Sequence, residues 1–128
     1  MAARTPEELD RLFAGAMNAG NLDALVELYE PQASLTPAPG KVAVGIDAIR
    51  DALAGFLDGK PQMTLSPRLV ARVGDLALLT SKWEITMTDA DGKPTRLNGQ
   101  SVEVARRQAD GNWLFAIDLP LGIESPPT

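Results

Sequence analysis

The sequence contains neither cysteine nor histidine. Without cysteine the chain cannot form a disulfide scaffold or a thiolate metal site, and such chains are typical of a reducing compartment. Without histidine it lacks the commonest transition-metal ligand and the usual base of a nucleophile triad. Acid/base chemistry therefore depends on Asp, Glu, Tyr or Lys, and we expect no metal and no other cofactor.

Basic residues and long apolar runs are also scarce. The chain has 12 Lys and Arg against 17 Asp and Glu, a formal net charge of −5, so no basic excess is present to neutralise nucleic-acid phosphates. No apolar run approaches the length of a membrane span, and the N-terminal residues lack the apolar segment of a signal peptide. We therefore expect a cytoplasmic protein with no nucleic-acid and no membrane partner.

The length and the apolar content are those of one folded domain. The 128 residues, 45% of them hydrophobic, can bury a core without covalent staples. We expect a single domain over residues 1–128, with an ordered core at 5–122 and a frayed tail at 123–128. Helices come first along the chain and strands follow, which predicts an α+β fold.

Apolar spacing predicts three helices before the main strands. The first begins at Thr5-Pro6, a capping residue followed by a proline at the first helical position. The second follows Asn21 and includes Tyr29, and the third runs from about Asp47 to Asp58. A short strand at 33–36 and a Pro-Ala-Pro-Gly loop at 37–40 lie between the second and third helices.

Four longer strands are predicted after the third helix, as an antiparallel meander over 64–73, 76–88, 95–108 and 113–119. The loop between the second and third of these suits a three-residue hairpin with Gly92 in the left-handed region. That register sets Trp83 opposite Gly99 and Ser81 opposite Ser101. Arg68, on the first strand, is placed opposite Ser81, where it could turn inward.

The last hairpin carries the strongest functional signal. A two-residue Asp110-Gly111 loop places Glu103 directly opposite Asp118, on one face of the sheet. Like charges in such positions repel, so they are tolerated either in solvent or in a pocket where one of them holds its proton. We expect one of the pair to have a raised pKa and the other a pKa near or below the ordinary value.

The same alternation divides the remaining strand residues between two faces. The face of Glu103 and Asp118 is expected to line a pocket, together with residues of the first and third helices. The opposite face is apolar, and we expect it to join two copies of the chain in a homodimer. The predicted pocket residues are Trp83, Ser81, Ser101, Phe13, Met17, Phe56 and Ala116, and the predicted dimer face contains Val102, Val104, Phe115, Ile117 and Leu119.

Several motifs occur together in an order that resembles a known superfamily. They are the Ala19–Tyr29 stretch (Ala-Gly-Asn-Leu-Asp-Ala-Leu-Val-Glu-Leu-Tyr), Gly45 before a helix with Ile49-Arg50, and the Asp110-Gly111-Asn112-Trp113 turn. The chain resembles the nuclear transport factor two (NTF2) and ketosteroid isomerase-like superfamily, and within it the SnoaL-like proteins of the SgcJ/EcaC type. The resemblance implies a cone-shaped α+β barrel, cystatin-like, in which helices pack on a curved, mainly antiparallel sheet around a pocket, usually in a homodimer.

The isomerase's catalytic residues carry over only in part. Its phenolic donor falls at Phe13 and its general base at or near Pro37, so we do not expect steroid isomerisation. Its protonated aspartate falls at Glu103, and Asp118 falls on a pocket-lining position. Relatives that use epoxide hydrolysis or aldol-type cyclisation place carboxylates on these late strands, but the arginine of the epoxide pattern is replaced here by Ser101.

These observations predict metal-free proton transfer on an apolar, cyclic or carbonyl-bearing small molecule. Asp118 is the expected base, Glu103 the protonated donor or the partner of the base, and Tyr29 an auxiliary donor. Trp83 is the expected wall of the pocket. The alternatives are a non-catalytic homodimer that binds a ligand or a peptide, and a subunit whose exposed sheet face docks another protein.

Overall fold

Residues 2–123, which this computed structural model describes, form three helices and six strands. The predicted frayed tail therefore lies outside the described residues, apart from residue 123. The elements in chain order are α1 (Pro6–Ala19), α2 (Leu22–Val26), β1 (Tyr29–Ala38), β2 (Lys41–Val44), α3 (Ile46–Leu57), β3 (Gln62–Val73), β4 (Leu76–Thr88), β5 (Pro94–Arg107) and β6 (Trp113–Leu119).

The strands form one unclosed, mixed sheet in the order β2-β1-β6-β5-β4-β3. Strand β1 runs parallel to β6, and all other neighbours are antiparallel. Helix α1 packs on β3, β4 and β6, and α3 packs on β1 and β2. The helices thus cover one face of the sheet, and the core lies between them and that face. No helix of the described chain is long and apolar enough to span a membrane.

The local sequence explains how α1 begins and ends. The Thr5 side chain accepts a hydrogen bond from the Glu8 backbone N–H at 3.2 Å, and Pro6 occupies the first helical position. At the other end, Gly20 adopts the left-handed conformation, with φ of 65°, which favours glycine because it has no Cβ. The helix that carries part of the pocket is therefore fixed at both ends.

The region between α1 and α3 differs from the prediction. The second helix ends at Val26, and Tyr29 instead begins β1, where it pairs with Phe115 of β6. Strand β1 continues into the predicted proline loop as far as Ala38 and forms a hairpin with β2, which was not predicted. Pro37 is tolerated because the β1–β2 register is irregular between Leu35 and Ala38. As a result α3 lies between strands, and only two helices precede the sheet.

The last hairpin places Glu103 opposite Asp118 by a different route from the predicted one. Its loop is longer by one residue, since the Gln108 N–H donates to the Asn112 carbonyl oxygen at 2.7 Å and Gly111 is left-handed, with φ of 87°. A β-bulge follows, in which Ala116 has no partner on β5. The longer loop and the bulge shift the register by one residue in opposite directions, so Glu103 still lies opposite Asp118.

That bulge changes the faces of two predicted residues. Phe115 pairs with Ala105 and points into the core, where it is only 1% exposed, so it does not belong to the outer face. Ala116, predicted to line the pocket, does not line it. With a two-residue turn and no bulge, side chains along β6 would alternate strictly between the two faces of the sheet. The bulge interrupts this alternation between Asp118 and the turn.

The β4–β5 hairpin has the register that the sequence predicts, whereas the β3–β4 hairpin does not. Trp83 lies opposite Gly99, and Ser81 opposite Ser101, as predicted. Arg68, however, lies opposite Thr80 and is exposed, because a register shift in β3 between Leu69 and Ala71 moves it by one position. Arg68 therefore does not face the interior.

Candidate functional site

A cavity of about 310 Å³ lies between the helices and the inner face of the sheet. Most of its lining is apolar, and the predicted pocket residues Phe13, Met17, Phe56 and Trp83 all contribute to it. The polar residues of the lining are Asp10, Ser81, Asn98, Ser101, Glu103 and Asp118. Small-molecule sites have this composition, with apolar walls and a few convergent polar groups.

Three of these polar residues are buried carboxylic acids from three different elements. Glu103 on β5 is 3% exposed, Asp118 on β6 is 5% exposed, and Asp10 on α1 is 4% exposed. Burial to this degree is rare for Asp and Glu, because removing a charge from water is costly unless it is paired. The lining contains no Lys or Arg that could pair with them.

Asp10 was missed in the sequence, although a signal for it exists. It precedes Phe13 and Met17 by three and seven residues, so the three side chains share one face of α1. Phe13 and Met17 belong to the apolar stripe that predicts the buried face, and an acid within that stripe indicates a functional position.

Tyr29 supports Asp118 from behind the cavity. Its hydroxyl donates a hydrogen bond to Asp118 Oδ2 at 2.5 Å, and its ring lies 5.2 Å from the ring of Phe115. Tyr29 is buried and does not line the cavity, so its hydroxyl is directed at Asp118 and not at a ligand. Burial, and then the charge of Asp118, raise the pKa of Tyr29 well above its ordinary value. The phenol therefore keeps its proton and remains a donor.

Burial also raises the pKa values of the carboxyl groups. It raises the pKa of Glu103 to about 9, with further contributions from the charge of Asp10 and from hydrogen bonding with Asp10. Glu103 is therefore protonated at neutral pH. No other group of the described residues donates a hydrogen bond to Asp10 Oδ2 or to Glu103 Oε1. The two acids can lie side by side because the Glu103 O–H donates to Asp10.

Asp10 and Asp118 titrate near neutrality. Burial raises the pKa of Asp118 to about 7, the charge of Glu103 adds to the increase, and the hydrogen bond from Tyr29 opposes it. Burial likewise raises the pKa of Asp10 to about 7, against the lowering effect of its hydrogen bond with Glu103. The expectation that one member of the Glu103–Asp118 pair has an ordinary pKa is therefore wrong, because burial acts on both and no cation compensates.

Trp83 forms a fixed wall of the cavity. Its indole N–H donates to the Pro120 carbonyl oxygen at 2.7 Å. A Cβ on Gly99 would lie 2.7 Å from Trp83 Cζ2, so the missing side chain at this position makes room for the ring. Ser81 and Ser101 line the cavity beside it, and Ser81 Oγ has no hydrogen-bond partner.

The arrangement suits proton transfer better than metal binding. Among residues 2–123 no group of three or more Asp, Glu, His or Cys side chains has the geometry to hold a metal ion. A carboxyl that keeps its proton and two that titrate near pH 7 can donate and accept protons in the same cavity.

Solved structures with this fold come from several bacteria. A ketosteroid isomerase-like protein from Erwinia carotovora atroseptica superposes with a TM-score of 0.77 at 25% identity, over 88% of each chain. An NTF2-like superfamily protein from Salmonella enterica serovar Typhimurium gives 0.80 at 15% identity, over 95% of this chain and 91% of that one. A candidate scytalone dehydratase from Novosphingobium aromaticivorans gives 0.78 at 18% identity, over 88% of this chain and 77% of that one.

The comparison with curated proteins gives no match. The family model of the SnoaL-like domain, in contrast, matches residues 9–115, from α1 into β6. This match covers most of the chain and includes two of the three buried acids, Asp10 and Glu103. The chain therefore belongs to the SnoaL-like family, within the NTF2-like and ketosteroid isomerase-like superfamily.

Proposed function

We propose that this protein is an enzyme that moves protons on an apolar, cyclic or carbonyl-bearing small molecule without a metal. The observation that carries the proposal is the set of three buried carboxyl groups in an apolar cavity, with pKa values raised to about 7 for Asp10 and Asp118 and about 9 for Glu103. Acids whose pKa values lie near the working pH are the most effective general acids and bases.

Asp118 is the base in this proposal. It lines the cavity, and Tyr29 holds its Oδ2 atom, which leaves Oδ1 as the oxygen for a substrate proton. With a pKa of about 7, Asp118 is partly ionised at neutral pH and is a stronger base than an ordinary carboxylate. The fixed orientation of the carboxylate favours one direction of attack.

Glu103 is the protonated donor or the partner of the base, and Asp10 accepts a hydrogen bond from it. A substrate oxygen that enters beside Glu103 can accept the same proton, which stabilises negative charge as Asp118 removes a proton from carbon. When the carbonyl forms again, its proton returns to Glu103 and Asp118 gives the abstracted proton back to carbon, so both acids recover their starting states. Each role uses a side chain that lines the cavity.

The structural relatives support proton-transfer chemistry in general terms. One is named for its likeness to an isomerase and another as a candidate dehydratase, and both kinds of reaction move protons on organic compounds. Steroid isomerisation itself is not proposed, since the resemblance places the isomerase's phenolic donor at Phe13 and its base near Pro37. Both side chains are apolar parts of the cavity wall.

The alternative is a binding module of the same fold that holds a ligand or a peptide without chemistry. Its support is the cavity itself, which is enclosed by apolar walls whether or not the acids act. In this alternative a second copy of the chain covers the outer face of the sheet. Catalysis by the buried acids distinguishes the two proposals.

A general probe tests catalysis before the natural substrate is known. 5-Nitrobenzisoxazole is a small, neutral, apolar ring compound from which a base removes the ring C–H proton while the N–O bond breaks, and the product is a coloured cyanophenolate. We expect turnover above the buffer rate, increasing with pH through about 7 as Asp118 ionises. A wild-type rate equal to that of buffer, with the probe bound, would favour the binding module.

Matched variants test whether the acids of the cavity produce the turnover. Asp118→Asn should reduce turnover by about a hundredfold or more, because it removes the base. Asp51→Asn provides the control, since Asp51 is an exposed residue of α3. Equal rates in Asp118→Asn and the wild type would remove Asp118 as the base.

A further inference from the structure

The acids of the cavity lack a positive partner. Asp10, Glu103 and Asp118 are all at least 95% buried, and the cavity lining includes no Lys or Arg. Ionised carboxylates in such surroundings are normally paired with a cation or with several donors. Within the described residues, Asp118 receives one donor, the Tyr29 hydroxyl.

Three polar atoms in the same lining are buried and receive no hydrogen bond from any group of the described residues outside the Asp10–Glu103 pair. They are Asp10 Oδ2, Glu103 Oε1 and Ser81 Oγ. Unpaired buried polar atoms are uncommon in folded proteins and call for a partner, such as a ligand. The two carboxyl oxygens are acceptors, so a ligand that completes them must bring donors. An ammonium group brings three N–H donors and one positive charge, whereas a ketone brings only acceptors.

The walls also suit a cation. Phe13, Phe56, Trp83 and Phe115 all line the cavity, although aromatic residues make up only 5% of the chain. Aromatic rings attract cations through their electron-rich faces, and the attraction is stronger when water is excluded. The apolar part of a ligand and its positive group can therefore both be accommodated.

We propose that the cavity selects apolar compounds that carry a protonated amine, in preference to neutral compounds of the same shape and against carboxylates. This inference rests on the proposed function, because it assigns the ligand class of the same cavity. The ammonium group contacts Asp10 and Glu103 and replaces the Glu103 proton as the donor to Asp10. Asp118 remains the base for a C–H bond elsewhere in the ligand, and Glu103 acts as its partner.

The titratable groups that face one another here come from four elements, while α3, β3 and β4 contribute no Asp, Glu, Lys or Arg to the lining. They are Asp10 of α1, Tyr29 of β1, Glu103 of β5 and Asp118 of β6, and Glu7 and Arg11 of α1 act on Asp10 more weakly. Binding of an amine favours the ionised carboxyls, so it releases protons. The affinity for the amine should therefore increase as the pH rises from about 6 to about 8.

Three probes of one shape test the selection: 2-naphthylmethylamine, 2-naphthylmethanol and 2-naphthoate. A two-ring compound is suited to a cavity of about 310 Å³. Dissociation constants come from calorimetry in two buffers of different ionisation enthalpy, which also counts the released protons. We expect the amine to bind at least about tenfold more tightly than the alcohol at pH 8, and naphthoate to bind more weakly than both.

The double variant Asp10→Asn/Glu103→Gln assigns the preference to these acids. It should lose the preference for the amine over the alcohol, and a circular dichroism spectrum like that of the wild type shows that it is folded. The double variant Asp51→Asn/Glu27→Gln removes two exposed acids and should retain the preference. The proposal is overturned if the alcohol binds as tightly as the amine to the wild type, if none of the probes binds, or if the preference survives in Asp10→Asn/Glu103→Gln.

The neutral benzisoxazole probe separates this inference from the proposed function. Turnover without a preference for the amine would overturn the inference and leave the proton-transfer function supported. A preference for the amine without turnover would support the ligand class and favour a binding module over an enzyme. The two measurements use different compounds and different readouts, so one failure does not imply the other.

Discussion

The Tyr29 hydroxyl donates to Asp118 Oδ2 at 2.5 Å, between two strands that run parallel. The bond links the first strand of the chain to the last, and it joins a donor outside the cavity to an acid that lines it. Hydrogen bonds to the charged form of a carboxyl lower its pKa. Tyr29 therefore holds the pKa of Asp118 lower than burial alone would set it.

Replacement of Tyr29 by phenylalanine should raise the pKa of Asp118 further above its present value of about 7. The ring of phenylalanine can keep the contact with Phe115, so the change removes mainly the hydroxyl. We expect the midpoint of the pH–rate profile with the benzisoxazole probe to move upward by about one pH unit. Phe13→Leu, a change in the wall without a hydroxyl, is the control. An unchanged or lower midpoint in Tyr29→Phe would contradict the assigned role.

The buried acids should titrate as a coupled group. Asp10→Asn removes the charge that, after burial, contributes most to the raised pKa of Glu103, so the pKa of Glu103 should fall from about 9. Asp118→Asn should lower the pKa of Asp10 for the same reason, since the charge of Asp118 raises it. Carboxyl-carbon NMR across about pH 4 to pH 10 measures both shifts.

The control for this titration is Glu27→Gln, which removes an exposed acid of similar chemistry. It should leave the transitions of the buried acids in place. Three independent transitions near pH 4 in the wild type would show solvated carboxyls, and the acid/base proposal would then lose its basis.

The sequence predicted most elements of the sheet because turn residues and alternation are local signals. Gly92 marks the β4–β5 loop, and that hairpin has the predicted register from Trp83 to Gly99. The error at Ala116 has a different origin. A bulge depends on how a strand pairs with its neighbours. The sequence has no local pattern that indicates an extra residue of β6 opposite β5.

The site was predicted in part for similar reasons. Cross-strand pairing identified Glu103 and Asp118, which are close along a hairpin. Asp10 approaches them from α1, about ninety residues away in sequence, so only the tertiary packing brings it to Glu103. Tyr29 was assigned to a helix, and its bond to Asp118 depends on a parallel pairing between distant strands that local patterns do not specify.

The outer face of the sheet should join two copies of the chain. Without Phe115, this face still has Val102, Val104 and Leu119, together with Ile117 and Leu78, which are 43% and 36% exposed. Val104→Lys with Ile117→Lys places two charges on neighbouring strands of the face and should give a monomer or an aggregate. Arg68→Lys, an exposed change on β3, is the control. A monomeric mass of the wild type at micromolar concentration, measured by light scattering, would contradict the prediction.

The buried acids should make the protein less stable as the pH rises. Their folded-state pKa values, about 7 for Asp10 and Asp118 and about 9 for Glu103, lie above the values of about 4 expected for the unfolded chain. Between these values the folded state binds more protons than the unfolded state, so the free energy of unfolding decreases with pH. The stabilisation is complete below about pH 4 and is lost as the pH passes through about 7 to 9.

Thermal unfolding at about pH 5 and about pH 9 measures this effect. The wild type should melt at a lower temperature at the higher pH, and Glu103→Gln should reduce the difference, because glutamine cannot ionise. Each kcal/mol corresponds to about 4 °C for a domain of this size. Glu27→Gln, in which the substituted acid is exposed, should show the full wild-type difference. If the wild type is as stable at pH 9 as at pH 5, the acids are not buried in solution, and both the proton-transfer proposal and the selection of amines lose their physical basis.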